Sequence, residues 1–77
     1  MNKQIYARLD GLLYDVCVKA GQKVKTGEVL YVIEAAKSQL SVKAPYSGTI
    51  SQVRRKAGDT LNATDVVMEL DAEDAAA

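Results

Sequence analysis

The sequence predicts an all-β domain, built as an antiparallel sandwich or a flattened barrel. Short apolar runs alternate with Gly-containing turns, which is typical of closely spaced antiparallel strands. The most apolar run, Val29–Ile33, is too short for a helix and dense in β-branched residues. The second half of the chain also repeats the first. Because the chain has only 77 residues, these features describe one small domain.

The first half of the chain contains extended runs separated by turns. We expect the polar segment Met1–Gln4 to fray at the start of the domain. The expected strands are Ile5–Ala7, Gly11–Val18 and Val29–Ile33, with Val24 as a short extended contact between the last two. Turns are predicted at residues 10–11, 20–23 and 26–28, where Gly and polar residues cluster.

The second half repeats this pattern at an offset of 37 residues and without a gap. Residues 7–35 align on residues 44–72, so Gly11 meets Gly48 and Lys19-Ala20-Gly21 meets Lys56-Ala57-Gly58. Two copies are too few for a solenoid, which needs at least three. The repeat therefore predicts two similar motifs packed face to face around a pseudo-twofold axis.

The repeat also predicts a local irregularity and a core. Leu13 and Val16 are three residues apart, as are Ile50 and Val53, which breaks strict alternation and indicates a bulge in each copy. Cys17 aligns with Arg54, so we expect it to face the surface. The expected core is aliphatic and consists of Leu13, Val16, Val24, Leu30, Ile33, Leu40, Val42, Ile50, Val53, Leu61, Val67 and Leu70.

Composition excludes several classes of function. Ten basic and ten acidic residues cancel, whereas a nucleic-acid or anionic-membrane partner would favour a basic excess. The absence of His removes the commonest general base and metal ligand, so we expect neither a catalytic nor a metal site. A lone cysteine cannot form an internal disulfide, which fits a reducing compartment.

Lys37 is the candidate functional residue. It lies at the junction of the two copies, between Val29–Ile33 and Ser38–Lys43. If these two runs are adjacent antiparallel strands, the segment between them is an exposed hairpin tip that another enzyme could grasp. Ala35, Ala36 and Ser38 leave the lysine sterically accessible, and Glu34 offers a nearby recognition charge.

The residues around this lysine resemble those of the biotinyl/lipoyl attachment domains. The resemblance runs without gaps from about Ile5 to Leu70, and it includes the internal repeat. The matching motifs are Gly21-x-x-Val24-x-x-Gly27-x-x-Leu30-x-x-Ile33-Glu34-Ala35-Ala36-Lys37 and Val42-x-Ala44-Pro45-x-x-Gly48-x-Ile50. The resemblance implies a flattened barrel of two four-stranded antiparallel sheets. It also implies that Lys37 is modified covalently, with Glu34, Ala35, Ala36 and Ser38 as flanks recognised by a ligase.

The flanks of Lys37 leave the cofactor open between lipoate and biotin. Biotinyl domains typically place Met on both sides of the lysine, where this chain has Ala36 and Ser38. Lipoyl domains typically have Asp before the lysine and a small residue after it, so Ser38 fits and Ala36 departs. The segment 7–11 is short, as in biotinyl domains, whereas the acidic, Ala-rich end resembles the linker of an N-terminal lipoyl domain. Lipoate is favoured narrowly, and biotin is the alternative.

The expected function is that of a swinging-arm carrier rather than an enzyme. The resemblance implies a lipoate or biotin protein ligase as one partner and the catalytic subunits or domains of a multienzyme complex as the others. With lipoate the chain would shuttle acyl groups; with biotin it would be the carboxyl carrier domain of a carboxylase or decarboxylase. A further alternative is a lipoyl-like interaction module in which Lys37 stays unmodified.

Two expectations concern boundaries and location. We expect residues 1–71 to form the carrier domain and residues 72–77 to form an acidic, Ala-rich linker or tail. No stretch reads as a signal peptide or a membrane span, so we expect a cytoplasmic protein, or a mitochondrial matrix protein if the source is eukaryotic.

Overall fold

A computed structural model describes residues 1–73 of the chain, and these residues form an all-β fold without a helix. They contain eight strands. In chain order the strands are β1 (Asn2–Tyr6), β2 (Gly11–Val16), β3 (Lys23–Val24), β4 (Val29–Ala35), β5 (Ser38–Lys43), β6 (Gly48–Val53), β7 (Thr60–Leu61) and β8 (Val66–Ala72).

The strands form two four-stranded antiparallel sheets, which confirms the predicted fold class. One sheet has the order β5-β4-β2-β7, and we call it the lysine sheet because its β4 and β5 flank Lys37. The other has the order β1-β8-β6-β3, and we call it the terminal sheet because it holds both ends of the described chain. Each strand of one sheet has its counterpart, 37 residues away, at the same place in the other, so the two sheets are pseudo-twofold twins.

Both sheets carry the predicted bulge. The pairing of β2 with β4 shifts register between Leu13 and Asp15, and the pairing of β6 with β8 shifts between Ile50 and Gln52. The two shifts are 37 residues apart, as the repeat requires. An extra residue in a strand bends it and increases its twist, so each bulge curves its sheet around the shared core.

Glycines mark equivalent places in the two copies. Gly21 and Gly58 have φ of 90° and 99°, in the left-handed region that glycine enters without steric cost. Gly11 and Gly48 are needed for a different reason, because a Cβ at either position would lie within 2.5 Å of a backbone oxygen of the neighbouring strand. The repeat therefore keeps glycine for backbone geometry at two turns and for close strand contact at two strand starts.

The core lies between the two sheets and is mostly the one predicted. One expected member is wrong: Leu40 is 46% exposed, because β5 is an edge strand and the core does not extend past its rim. Val16, Val42 and Val53 are only partly buried against the core. The prediction also missed buried residues, namely Ile5, Ala7, Val18, Tyr31, Ala44 and Met68.

The expectation that Met1–Gln4 frays is wrong. This segment enters β1, where Asn2 pairs with Asp71 and Lys3 pairs with Leu70 on β8. The Met1 ammonium group adds a salt bridge of 3.1 Å to Asp71 and a hydrogen bond of 3.0 Å to the carbonyl of Ala72. At the other end β8 continues to Ala72, and residues 74–77 of the expected tail lie outside the described residues.

Candidate functional site

Lys37 lies at the tip of the hairpin formed by β4 and β5. Ala35 and Ser38 are the last paired residues, so the loop consists of Ala36 and Lys37 alone. Their φ angles are 49° and 66°, and positive values at both loop residues are the signature of a type I′ turn. This turn matches the twist of the strands it joins, although residues other than Gly, Asn or Asp adopt it at a cost of about 1–2 kcal/mol each. The hairpin therefore holds the lysine in a defined, strained turn.

The small residues expected beside Lys37 leave its side chain uncovered. Ala36, Lys37 and Ser38 are exposed, and Ala35 is half-buried. Within residues 1–73 no salt bridge involves the Lys37 ammonium group. An amine with no charged partner and no bulky neighbour is open to a reactant that approaches from solvent.

Glu34 and Leu12 form the first outward-facing row behind the tip. Glu34 pairs with Gln39 on β5 and with Leu12 on β2. The Glu34 side chain is half-buried and lies on the outer face of the lysine sheet, because its neighbour Ile33 points into the core. The structure thus places Glu34 near the tip, in a position that a protein gripping the hairpin would contact.

Gly11 supports the hairpin from the adjacent strand. A Cβ at this position would lie 2.5 Å from the carbonyl oxygen of Glu34 and 3.3 Å from the Cβ of Ala35. The absence of a side chain lets β2 approach the last residues of β4 closely. The position of the tip therefore depends on this glycine, a role that the sequence pattern alone did not reveal.

The ends of the described chain lie at the opposite end of β4 from the lysine. The side chain of Ser47 accepts a hydrogen bond of 3.0 Å from the amide of Thr26, just before β4 begins. The carbonyl of the same serine accepts one of 2.8 Å from the amide of Glu73. Since β4 has seven residues, roughly 23 Å of strand separates this end from the tip.

The terminal sheet carries a polar network on its outer face. Glu69 is only 8% exposed, and its carboxylate accepts hydrogen bonds from the side chains of Asn2 and Arg54. These hydrogen bonds, with the Arg54 charge, hold the pKa of Glu69 below its ordinary value of 4.5. Ser51 donates to the Glu69 carbonyl at 3.1 Å. The network ties β1, β6 and β8 together, and sequence periodicity gave no sign of it.

Tyr31 is the largest fully buried side chain, and its hydroxyl bridges the two sheets. It donates a hydrogen bond of 3.2 Å to the carbonyl of Tyr6 on β1. Burial raises the pKa of Tyr31 to about 12, although the positive charge of Arg8 partly opposes the shift. A buried tyrosine with its hydroxyl satisfied has a structural role.

The part of the chain that the structure describes offers little for other chemistry. Among residues 1–73, no group of three or more Cys, Asp or Glu side chains is arranged to hold a metal ion. Those residues also contain no helix that is long and apolar enough to cross a membrane. Cys17 is exposed, as its alignment with Arg54 predicted.

A small two-sheet domain that displays a lysine at the tip of a tight hairpin has the architecture of a covalent carrier domain. Comparison with known proteins agrees. The family profile described as "Biotin-requiring enzyme" matches residues 5–70. The chain therefore belongs to the biotin/lipoyl attachment family.

Relatives include an attachment protein, a carboxylase and an acetyltransferase component. The biotin/lipoyl attachment protein of Bacillus subtilis is 35% identical over 63 residues, 82% of this chain and 86% of that protein. Pyruvate carboxylase of the same organism is 39% identical over 67 residues, 87% of this chain. The dihydrolipoyllysine-residue acetyltransferase component of pyruvate dehydrogenase from Mycoplasma capricolum is 39% identical over 62 residues, 80% of this chain. The chain spans only 6% and 14% of these two larger proteins.

Solved structures share the fold. The lipoyl domain of the 2-oxoglutarate dehydrogenase complex of Azotobacter vinelandii superimposes with a TM-score of 0.71 at 30% identity, over 79% of this chain and 77% of that one. A single-chain, multi-domain long-chain acyl-CoA carboxylase superimposes with a TM-score of 0.88 at 25% identity, over 95% of this chain and 7% of that one. The chain is thus a biotin/lipoyl attachment domain, a carrier for which either cofactor is supported.

Proposed function

We propose that Lys37 is the attachment site and that lipoate is the cofactor it carries. The observation that carries this proposal is the type I′ turn, whose two residues are Ala36 and Lys37. Placed there, the amine meets no charged partner within residues 1–73 and no large side chain beside it in the sequence. The residues fit an attached arm, because a group bonded to Nζ can extend into solvent without displacing any part of the domain.

The attachment reaction is an acyl transfer to Nζ. A ligase supplies the cofactor as an acyl-adenylate, and the neutral amine of Lys37 attacks its carbonyl carbon. The C–N bond of an amide forms, the bond from the carbonyl carbon to the phosphate oxygen breaks, and AMP leaves with the bonding electrons. The amine proton passes to a base on the ligase. The domain's own contribution is to present Nζ on a rigid tip, with Glu34, Ala35, Ala36 and Ser38 as the surface that the ligase recognises.

Once attached, lipoate supplies a disulfide that takes up an acyl group by reductive acylation. The domain provides tethering, which keeps the group at a high effective concentration near successive active sites. The domain itself is then a non-catalytic component of a multienzyme complex, and its other partners are the catalytic subunits or domains of that complex. A cytoplasmic or mitochondrial matrix location would supply both the ligase and these partners.

Ser38 supports lipoate, since a small residue follows the modified lysine in lipoyl domains. Biotin is the second candidate, because the pyruvate carboxylase of Bacillus subtilis is as similar in identity, 39%, as the acetyltransferase component of Mycoplasma capricolum. With biotin the arm would carry a carboxyl group instead. In both cases we propose that residues 1–71 form the carrier domain and that residues 72–77 belong to a linker or tail.

Intact-mass measurement after co-expression tests this proposal. The chain is expressed with a lipoate ligase and, separately, with a biotin ligase, as the unchanged protein and as Lys37→Ala. We expect one lipoyl-sized mass increment that Lys37→Ala abolishes. Incorporation of biotin instead of lipoate would show that the cofactor is biotin, the second candidate. A folded protein that accepts neither group would contradict the carrier function and support an unmodified interaction module.

A further inference from the structure

The two twin sheets differ sharply in the chemistry of their outer faces. The terminal sheet presents the polar side chains Thr49, Ser51, Arg54 and Glu69. At the matching backbone positions, 37 residues earlier, the lysine sheet presents Leu12, Tyr14, Cys17 and Val32. We call these four residues the apolar patch.

The fold does not account for this difference. The two sheets share their strand order and their bulges, so the strand pairing does not require either set of outward side chains. In the terminal sheet Glu69 is covered by its partners Asn2 and Arg54. The matching Val32 is half-buried, while Tyr14 is 52% and Leu12 is 37% exposed. Leu12 and Val32 lie in neighbouring rows of β2 and β4, with Tyr14 at the bulge between them. Exposed apolar side chains grouped on one face of a sheet mark an interaction surface.

The patch extends towards the reactive lysine. Leu12 pairs with Glu34, in the first outward-facing row behind the hairpin tip. Val32 and the bulge at Tyr14 and Asp15 form the next such row along the strands. A protein that covers both rows would therefore also be in contact with the tip.

The charges on β2 and β4, the two strands beneath the patch, indicate the chemistry of its partner. Asp15 and Glu34 are the only charged residues on β2 and β4, and both are acidic. A partner surface would complement them with Lys or Arg side chains placed around an apolar centre. A second copy of this chain fits poorly, because a twofold contact through the patch would bring the same acidic strands together.

We propose that the apolar patch is the docking surface for the enzyme that loads the cofactor onto Lys37, with Tyr14 as its central anchor. The inference rests on the proposed function. The unmodified lysine has only a four-carbon side chain, so a loading enzyme must approach the domain body closely to reach Nζ. Partners that later use the extended arm can work from further away. The loading enzyme is therefore the partner that most needs a surface beside the tip, and exposed Tyr is enriched among residues that dominate binding energy.

Single substitutions in the patch test the docking surface, and each replaces a patch residue with the residue at the matching position of the terminal sheet. Tyr14→Ser and Leu12→Thr introduce the residues that the matching positions already hold, so the fold should tolerate them. The matched controls are Tyr46→Ser, which removes a tyrosine that is 44% exposed outside the patch, and Thr49→Ala on the terminal sheet. Steady-state loading of Lys37 is measured with a lipoate ligase and with a biotin ligase.

We expect Tyr14→Ser to raise KM for the domain about tenfold with kcat little changed, and Leu12→Thr to raise it less. The two controls should load like the unchanged protein. Added salt should raise KM for the unchanged protein, because the contacts to Asp15 and Glu34 are electrostatic. Equal KM values for Tyr14→Ser and Tyr46→Ser would overturn the proposal.

An NMR titration separates this inference from the proposed function. Each ligase is added to the labelled Lys37→Ala domain, which cannot react at this position, and amide shifts are followed. We expect changes on β2, β4 and the tip, and none on the outer face of β6 and β8. Normal loading of Lys37 with shifts confined to the tip would overturn the docking surface and leave the carrier function intact. Binding through the patch without loading of the unchanged protein would support the docking surface and overturn the carrier function.

Discussion

Replacing Gly11 by alanine tests how the fold holds the lysine hairpin. The added Cβ would lie 2.5 Å from the carbonyl oxygen of Glu34, and its other near contacts are Ile33 and Ala35. Backbone cannot rotate away as a side chain can, so β4 must move. Overpacking of this kind costs about 1–3 kcal/mol, which lowers the Tm of a domain of this size by roughly 4–24 °C.

The twin substitution Gly48→Ala is the matched control. Its Cβ would lie 2.1 Å from the carbonyl oxygen of Asp71, so its loss of stability should be at least as large. This clash lies at the end of the domain away from Lys37. Gly21→Ala is a second control with backbone strain but no clash. Its φ of 90° disfavours alanine, whereas the added Cβ meets no atom within 4 Å.

The assays are urea denaturation and the rate of cofactor loading, measured where every variant is folded. We expect Gly11→Ala to lower kcat/KM for loading by about tenfold or more, because a displaced tip misplaces the reacting amine. The two controls should load normally. Two results would show that Gly11 does not hold the tip in place. One is an unfolding free energy of Gly11→Ala within about 0.5 kcal/mol of the unchanged protein, and the other is equally slow loading of Gly48→Ala.

Three further predictions concern stability. Ala36→Gly relieves the φ of 49° and should raise the unfolding free energy by about 0.5–1 kcal/mol in urea titrations, whereas an unchanged value would mean that the turn is not strained. Tyr31→Phe removes the buried hydrogen bond to Tyr6 and should cost about 1 kcal/mol. The pKa of Tyr31 is raised from 10.0 to about 12, so its contribution to stability is complete below pH 10.0 and is lost as the pH rises towards 12. The stability of Tyr31→Phe should therefore not show this decrease between pH 10.0 and 12. The lowered pKa of Glu69 acts in the opposite direction, because its contribution to stability is present above about pH 4.5 and is lost as the pH falls below that value. The Tm of Glu69→Gln should therefore decrease less below pH 4.5 than the Tm of the unchanged protein.

The internal repeat explains why the fold could be predicted from the sequence. Local patterns located the turns, and the 37-residue offset required each irregularity to occur twice. The bulges after Leu13 and Ile50 follow from this argument and are confirmed by the register shifts. The hairpin tip at Lys37 follows as well, since β4 and β5 pair up to Ala35 and Ser38.

The errors have a common physical cause, because strand periodicity does not reveal which strands lie at a sheet edge. Leu40 has the spacing of a core residue, but β5 is an edge strand and leaves it 46% exposed. The polar segment at the N-terminus looked unstructured, yet β8 pairs with it from Asn2 onwards.

The site could be predicted only in part for a similar reason. Sequence placed Lys37 and its flanks, which are local features. The support from Gly11 and the Glu69 network depend on contacts between strands that are distant in sequence. The contrast between the apolar patch and the polar face opposite depends on which side chains point outwards in each sheet, and the repeat alone does not determine this.

Peptide-level mass spectrometry after loading identifies the lysine that carries the cofactor, which we propose to be Lys37. The unchanged protein is compared with Lys37→Arg and with Lys43→Arg, which alters another exposed lysine of the same hairpin. We expect one adduct, located on Lys37, absent from Lys37→Arg and retained by Lys43→Arg. An adduct on another lysine, or an adduct that persists in Lys37→Arg, would contradict this proposal.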